Sequence, residues 1–185
     1  HGGAKVKDGA LVLDGRGAFA RSAPLTKPLR AKTLEAWVQL RNLSQRGGGV
    51  MTVQTRNSVS FDSIVFAEKQ SGHWLAGSNN FQRTQSFNGS AETETQPVHV
   101  AIVYKTDGTI IGYRNGKPYG RLYKTSLQAF AAGSSEVIFG LRHGTGAGGG
   151  RMLSGKVLKA RLYDRALNPA EMIASAGGNP NYISE

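Results

Sequence analysis

Val98-His99-Val100-Ala101-Ile102-Val103-Tyr104, then the turn Asp107-Gly108, the run Thr109 to Arg114 and a second turn at Asn115-Gly116, is the stretch that decides the fold. Val98, Val100, Ile102 and Tyr104 alternate with His99, Ala101 and Val103, which is the period-two signature of a strand with two distinct faces. Asp-Gly and Asn-Gly between apolar runs are hairpin signals, because glycine reaches positive φ without steric cost. Lys117 to Tyr123 reads as the strand that follows.

The same pattern extends in both directions. Leu34, Ala36, Val38 and Leu40 share one face of Thr33 to Leu40, and Val50 to Val53 and Ser63 to Ala67 read as further strands. Ala10 to Leu13 runs into a turn at Asp14-Gly15-Arg16-Gly17. Toward the other end, Glu136 to Leu141 and Val157 to Tyr163 complete the series, with Leu158, Ala160 and Leu162 facing one way and Lys159 and Arg161 the other. One helix is specified by Asn168 as N-cap, Pro169 at the first helical position, Glu171 two residues later and Gly177 as its stop. Ser126 to Ala132 is expected to form another helical turn. Many short strands with little helix predict an all-β fold of two antiparallel sheets or a barrel. No repeat or linker divides residues 1–185, so one domain is expected.

Composition narrows the function. The 185 residues are 39% apolar and 19% charged, with no apolar run near the roughly 18 residues that span a bilayer. No charged-then-apolar leader opens the chain, so a mature fragment or a domain excised from a larger protein is expected. The absence of cysteine excludes thiol catalysis and thiolate-bound zinc. A net charge of +11 attracts polyanions, but the basic residues are scattered, so nucleic acid is not the expected partner.

Several stretches resemble the LamG-like (laminin-G/pentraxin-like) branch of the concanavalin A-like lectin/glucanase superfamily. Leu11-Val12-Leu13-Asp14-Gly15-Arg16-Gly17 is similar to its early L-x-x-D-G-x-G hairpin, and Thr33-Leu34-Glu35-Ala36-Trp37-Val38 to its T-x-E-x-W-V strand. Tyr113-Arg114-Asn115-Gly116 is similar to its Y-x-N/D-G hairpin. Gly155-Lys156-Val157 through Tyr163-Asp164-Arg165-Ala166-Leu167 to Glu171 is similar to its terminal signature. More narrowly, Phe61 to Val65, Trp74 to Asn79 and Phe139 to His143 resemble such domains in large bacterial exported proteins that also carry c-type cytochrome domains. The resemblance implies a jelly-roll sandwich, ligands held by loops at one rim or by the concave sheet, and a secreted, periplasmic or cell-surface setting. It names no ligand.

Candidate chemistry falls in a few places. Gly72-His73-Trp74 followed by Ser78-Asn79-Asn80-Phe81-Gln82-Arg83 suits a sugar, since an aromatic plate meets its C–H face while amides and a guanidinium meet its hydroxyls or an acidic group. Taken alone, Trp74 reads as core and the asparagines as turn formers. The polar cluster as a whole stands as a ligand loop. Glu92, Glu94 and Gln96 would share one face if extended, as in the glucanases the chain resembles, but Gln96 lies where a third carboxylate is needed. Gln96 can serve neither as acid nor as nucleophile. Glu92 and Glu94 therefore stand as ligand contacts, with Arg83 as a possible partner of one of them. Arg142-His143 lies at a strand end, where it either faces ligand or forms a surface pair. Calcium needs several oxygen ligands. Asp14 and Asp107 read as turn residues, which leaves Asp62 as the calcium candidate.

The run Gly144-Thr145-Gly146-Ala147-Gly148-Gly149 formally fits G-x-G-x-x-G, and Gly150 to Val157 nearly spells a P-loop. No helix follows either, so both are coincidences and the segment reads as a loop between strands. No G-x-S-x-G elbow is present. Asp164 and Arg165 are expected to pair locally. Asn42-Leu43-Ser44 and Asn88-Gly89-Ser90 match glycosylation sequons. The resulting expectation is a non-catalytic carbohydrate-binding module, with acidic polysaccharides favoured by charge and no resident cofactor. The alternatives are a module that docks neighbouring protein domains and, third, a glycoside hydrolase.

Overall fold

The structure is a computed structural model that describes residues 1–146 and 151–177. Its strands are β1 (Lys5–Lys7), β2 (Ala10–Asp14), β3 (Ala20–Arg21), β4 (Lys32–Leu40), β5 (Gly48–Thr55), β6 (Phe61–Phe66), β7 (Trp74–Ser78), β8 (Val98–Tyr104), β9 (Thr109–Arg114), β10 (Lys117–Pro118), β11 (Tyr123–Lys124), β12 (Ser135–Phe139) and β13 (Ser154–Tyr163). The helix α1 spans Pro169–Ala176. An 8-stranded sheet runs β1-β2-β13-β4-β8-β9-β10, with β11 also on β9. A 5-stranded sheet runs β3-β12-β5-β6-β7. Every pairing is antiparallel. The all-β, two-sheet sandwich expected from the sequence is the observed architecture.

Alternation decides which side chains fill the interior. Leu34, Ala36, Val38 and Leu40 of β4, with Val98, Val100, Ile102 and Tyr104 of β8, meet Val53, Ile64, Phe66, Trp74 and Ala76 from the facing sheet in one buried cluster. Each fully buried aliphatic side chain contributes about 1.5–3 kcal/mol. The opposite face of β8 is roofed by α1, whose Met172 packs with Leu167 on Ala101, Val103 and Tyr113. The helix starts as its sequence demands. Asn168 Oδ1 accepts from Glu171 N, while Asn168 N donates to Glu171 Oε2, a reciprocal capping box.

Four local expectations are corrected. Ser126 to Ala132 is not helical. Phe130 instead bridges to Leu29 and buries its ring. Lys117 to Tyr123 is not one strand but β10 and β11 on either side of a turn. Gly120 sits at φ 72 so close to Phe87 O that a Cβ would lie 2.0 Å from it. Arg165 pairs with Glu171 at 2.6 Å rather than with Asp164. Strict alternation along β13 also fails, because a bulge falls between Val157 and Lys159. Val157 packs inward, so Lys156 joins Lys159 and Arg161 on the outer face. Residues 147–150 of the glycine-rich segment lie outside the described residues.

Candidate functional site

Eight of the ten expected ligand residues separate into two buried clusters and one surface cluster, and His73 and Glu94 stand apart from all three. In the first buried cluster, Asp62 occupies an inward position of β6. Its Oδ1 accepts from Arg83 Nε at 2.9 Å, while Oδ2 faces Lys32 Nζ at 2.8 Å. Lys32 and Asp62 are both fully buried, and Arg83 nearly so. Desolvation lowers the pKa of Lys32 against the opposing pull of Asp62. This arrangement does not fit calcium at Asp62. Two cations already flank the carboxylate, and a third charge of the same sign would have to displace them. Among the described residues no cluster of three His, Cys, Asp or Glu side chains could hold a metal. Asp14 and Asp107 accept from backbone N–H groups of their own turns, which lowers both pKa values, that of Asp14 to about 2.

The second buried cluster joins Trp74 and Glu92. Trp74 Nε1 donates to Glu92 Oε1 at 2.6 Å, and Arg114 clamps the carboxylate through Nε and an Nη at 2.7 Å each. Arg83 does not reach Glu92. Trp74, Arg83 and Glu92 therefore do not converge on a concavity; they tie the sandwich together. Glu94 is exposed, and the segment that carries both glutamates is irregular rather than extended into a strand. His73 is half-buried, with Nδ1 2.7 Å from Ser71 O.

Asn79, Asn80, Arg142 and His143 do come together. They line a surface concavity of about 340 Å³ with Phe81, Ser58, Val59, Phe61 and Glu68. One wall is the tight turn Asn79–Phe81 that follows β7. Another is the turn between β5 and β6. The floor is the segment after β12, where His143 stacks on Phe61 with ring centroids 4.4 Å apart. Arg142 pairs with Glu68. Thr52 Oγ1 donates to Arg142 O at 2.9 Å, and Gln54 and Gly144 exchange hydrogen bonds at 2.8 and 3.0 Å, which fix this floor to β5. Gly49 permits the approach, since a Cβ there would lie 2.4 Å from Arg142 Cα.

The walls are strained. Asn80 and Phe81 are consecutive left-handed residues at φ 50 and 55, and Ser58 opposite them is at φ 60. Asparagine tolerates this region, but a bulky residue there costs roughly 1–2 kcal/mol. The strain holds Phe81 outward with 45% of its surface exposed, with Lys69 Nζ 4.8 Å from its ring centroid. The buried cluster props this turn from below, as an Nη of Arg83 donates to Asn79 Oδ1 at 2.8 Å. Burial and the nearby Arg151 and Arg142 push the His143 pKa down to about 4, so its imidazole is neutral at ordinary pH and both donates and accepts. Burial raises the Glu68 pKa in spite of Arg142.

Val59 and Glu68 were not legible as site residues, and Phe81 lay inside the expected ligand loop without being singled out. Phe81 had one signal, an aromatic directly after an asparagine suited to a left-handed turn. Glu68 had none, because its role depends on the distant Arg142.

The comparisons agree with this architecture. A family model described as the concanavalin A-like lectin/glucanases superfamily matches residues 14–172. A heptameric SAP-like pentraxin from Limulus polyphemus is similar with TM-score 0.63 and 16% identity, over 92% of this chain and 84% of that one. A sialidase from Trypanosoma rangeli gives TM-score 0.66 and 16% identity, over 94% of this chain but 28% of the sialidase. The CBM40 of the Ruminococcus gnavus IT-sialidase, bound to α2,3-sialyllactose, gives TM-score 0.62 and 15% identity, over 90% of this chain and 96% of that one. At these identities the likeness shows the fold. No curated protein sequence matches the chain.

Proposed function

The chain belongs to the concanavalin A-like lectin/glucanase superfamily, and from that premise we propose that it is a non-catalytic carbohydrate-binding module whose glycan site is the concavity around Phe81. The observation that carries the reading is the left-handed Asn80-Phe81 pair, which spends backbone strain to hold an aromatic ring outward beside two asparagine amides. Strained non-glycine backbone of this kind clusters at ligand sites. The ring offers a plate for a sugar's C–H face, the amides of Asn79 and Asn80 meet hydroxyls, and neutral His143 serves as donor or acceptor. Arg142 and Lys69 favour a glycan that carries carboxylate or sulfate. The CBM40 relative, bound to a sialylated sugar, supports a glycan as the ligand class.

The non-catalytic reading rests on the carboxylates. Glycoside hydrolysis uses a pair of them flanking the scissile bond. Among the described residues lining the concavity, Glu68 is the sole carboxylate, and it is paired with Arg142. The proposal includes an exported setting and a place within a larger protein. Docking of a neighbouring protein domain is the competing reading, favoured by Val59, 66% exposed beside Phe81. A glycan array at low and high salt, run with the parent and Phe81→Ala, separates them. Binding that disappears in Phe81→Ala supports the glycan site. Binding to no glycan, neutral or charged, overturns it.

A further inference from the structure

The outer face of the 8-stranded sheet is divided into two halves. Helix α1 covers the half built on β8 and β9, where Leu167 and Met172 pack on Ala101, Val103 and Tyr113. The half built on β1, β2, β13 and the end of β4 carries basic side chains. The strand register sets them in order. Lys5 lies opposite Val12, Val12 opposite Lys156, and Lys156 opposite Gln39, so these residues form one row across the sheet. Lys5 and Lys156 stand two strands apart, roughly 10 Å. Lys7 extends the row on β1. The bulge in β13 brings Lys159 and Arg161 onto this same face, opposite Trp37 and Glu35. Without it, Lys156 would point to the other side. Arg41 borders the row, where Val12, Gln39, Arg41, Thr95 and Lys156 line a concavity of about 360 Å³.

Charge along the row Lys5–Lys156–Arg41 is one-sided. Lys5, Lys7, Arg41 and Lys156 are exposed, and among the described residues no carboxylate pairs with them. The carboxylates of these strands are engaged elsewhere. Glu35 is buried, accepts from His99, Tyr163 and Ser175 at 2.8, 3.1 and 2.9 Å and pairs with Arg161 at 3.6 Å, while Asp14 caps its own turn. Trp37 is fully buried, and its Nε1 has no hydrogen-bond partner among the described residues. Lys159 Nζ and Arg161 Cζ lie 4.9 and 5.1 Å from its ring centroid. Arg161 is held there by Glu35 at 3.6 Å and by Ser175 at 2.6 Å, so it belongs to the network beneath α1, and the row alone is offered to a ligand.

We propose that this half-face is a second binding surface, separate from the concavity at Phe81, and that it takes a linear anionic polysaccharide along the row Lys5–Lys156–Arg41. An extended polyanion suits a flat row of cations spaced across strands. Nucleic acid suits it less, because among the described residues the open half-face has no exposed aromatic on which a base could stack and no helix for a groove.

The test uses dextran sulfate as the probe, with neutral dextran and random-sequence duplex DNA alongside. The triple variant Lys5→Gln, Arg41→Gln, Lys156→Gln is compared with a control of equal charge loss, Lys105→Gln, Lys117→Gln, Arg121→Gln. All six positions are exposed, so both proteins are expected to fold. Dextran sulfate binding should weaken at least tenfold in the first variant, and the salt slope should fall by about 2 to 3. The control should stay within about twofold of the parent. Equal weakening by the two triple variants would reduce the effect to net charge and overturn the proposal. So would tighter binding of DNA than of dextran sulfate, or no binding of dextran sulfate at low salt.

Discussion

Lys32 Nζ lies 2.8 Å from Asp62 Oδ2, with both side chains wholly enclosed between the two sheets. The ammonium also donates to Gln128 O at 2.9 Å and sits 4.5 and 5.0 Å from the ring centroids of Tyr104 and Phe130. Arg83 completes the cluster and reaches outward to Asn79. A buried ion network thereby supports the turn that displays Phe81, which links the interior to the proposed glycan site.

The partners of that network should differ sharply when replaced. Asp62→Ala strands two buried cations and should cost about 3–5 kcal/mol in urea unfolding. Lys32→Met leaves Asp62 with Arg83 and fills the space with an apolar chain of similar length, so its cost should be well below that. Equal losses from the two variants would show that the cations do not depend on Asp62 for their burial.

Strain at Phe81 separates stability from binding. Phe81→Gly relieves the left-handed conformation, and the added freedom of the unfolded chain offsets about 0.5–1 kcal/mol of that gain. The variant should therefore be at least as stable as the parent while binding glycan at least tenfold more weakly. A clear drop in melting temperature would mean that the ring is held for packing instead.

The sandwich was legible because burial by alternate residues leaves a local signature, as Val98 to Tyr104 and Thr33 to Leu40 show. The site was legible only in part. Asn79, Asn80, Arg142 and His143 were readable as polar groups at strand ends, where turns reach solvent. Trp74, Arg83, Asp62 and Glu92 have the same chemistry in the sequence, yet their partners Lys32 and Arg114 lie far away in the chain. Whether a charged residue faces a ligand or a buried counter-ion depends on long-range pairing, which periodicity does not encode. The bulge in β13 was invisible for a similar reason. It is fixed by Val157 seeking the core across two neighbouring strands, not by any turn residue.

Acid should act through His143. Its folded pKa of about 4 lies below the ordinary value of 6.5, so the unfolded chain binds the proton first. Stability from this group is complete above pH 6.5 and declines as pH falls toward 4. His143→Gln should accordingly lose less stability than the parent between pH 7 and pH 4.5 in urea titrations. Identical losses would show that the imidazole titrates normally despite Phe61 and the neighbouring arginines.

The two glutamates test the catalytic alternative. Glu92 serves Trp74 Nε1 and both arms of Arg114, so Glu92→Ala should cost about 3 kcal/mol or more, since it leaves a buried donor and a cation without their acceptor. Exposed Glu94→Ala should stay within about 0.5 kcal/mol. A hydrolase would show another pattern. Sugar release by the parent, lost in a folded Glu92→Gln or Glu94→Gln protein, would place a reacting bond at these carboxylates. Glu92 cannot act there without giving up Trp74 or Arg114, and the stability loss in Glu92→Ala measures how firmly it is held.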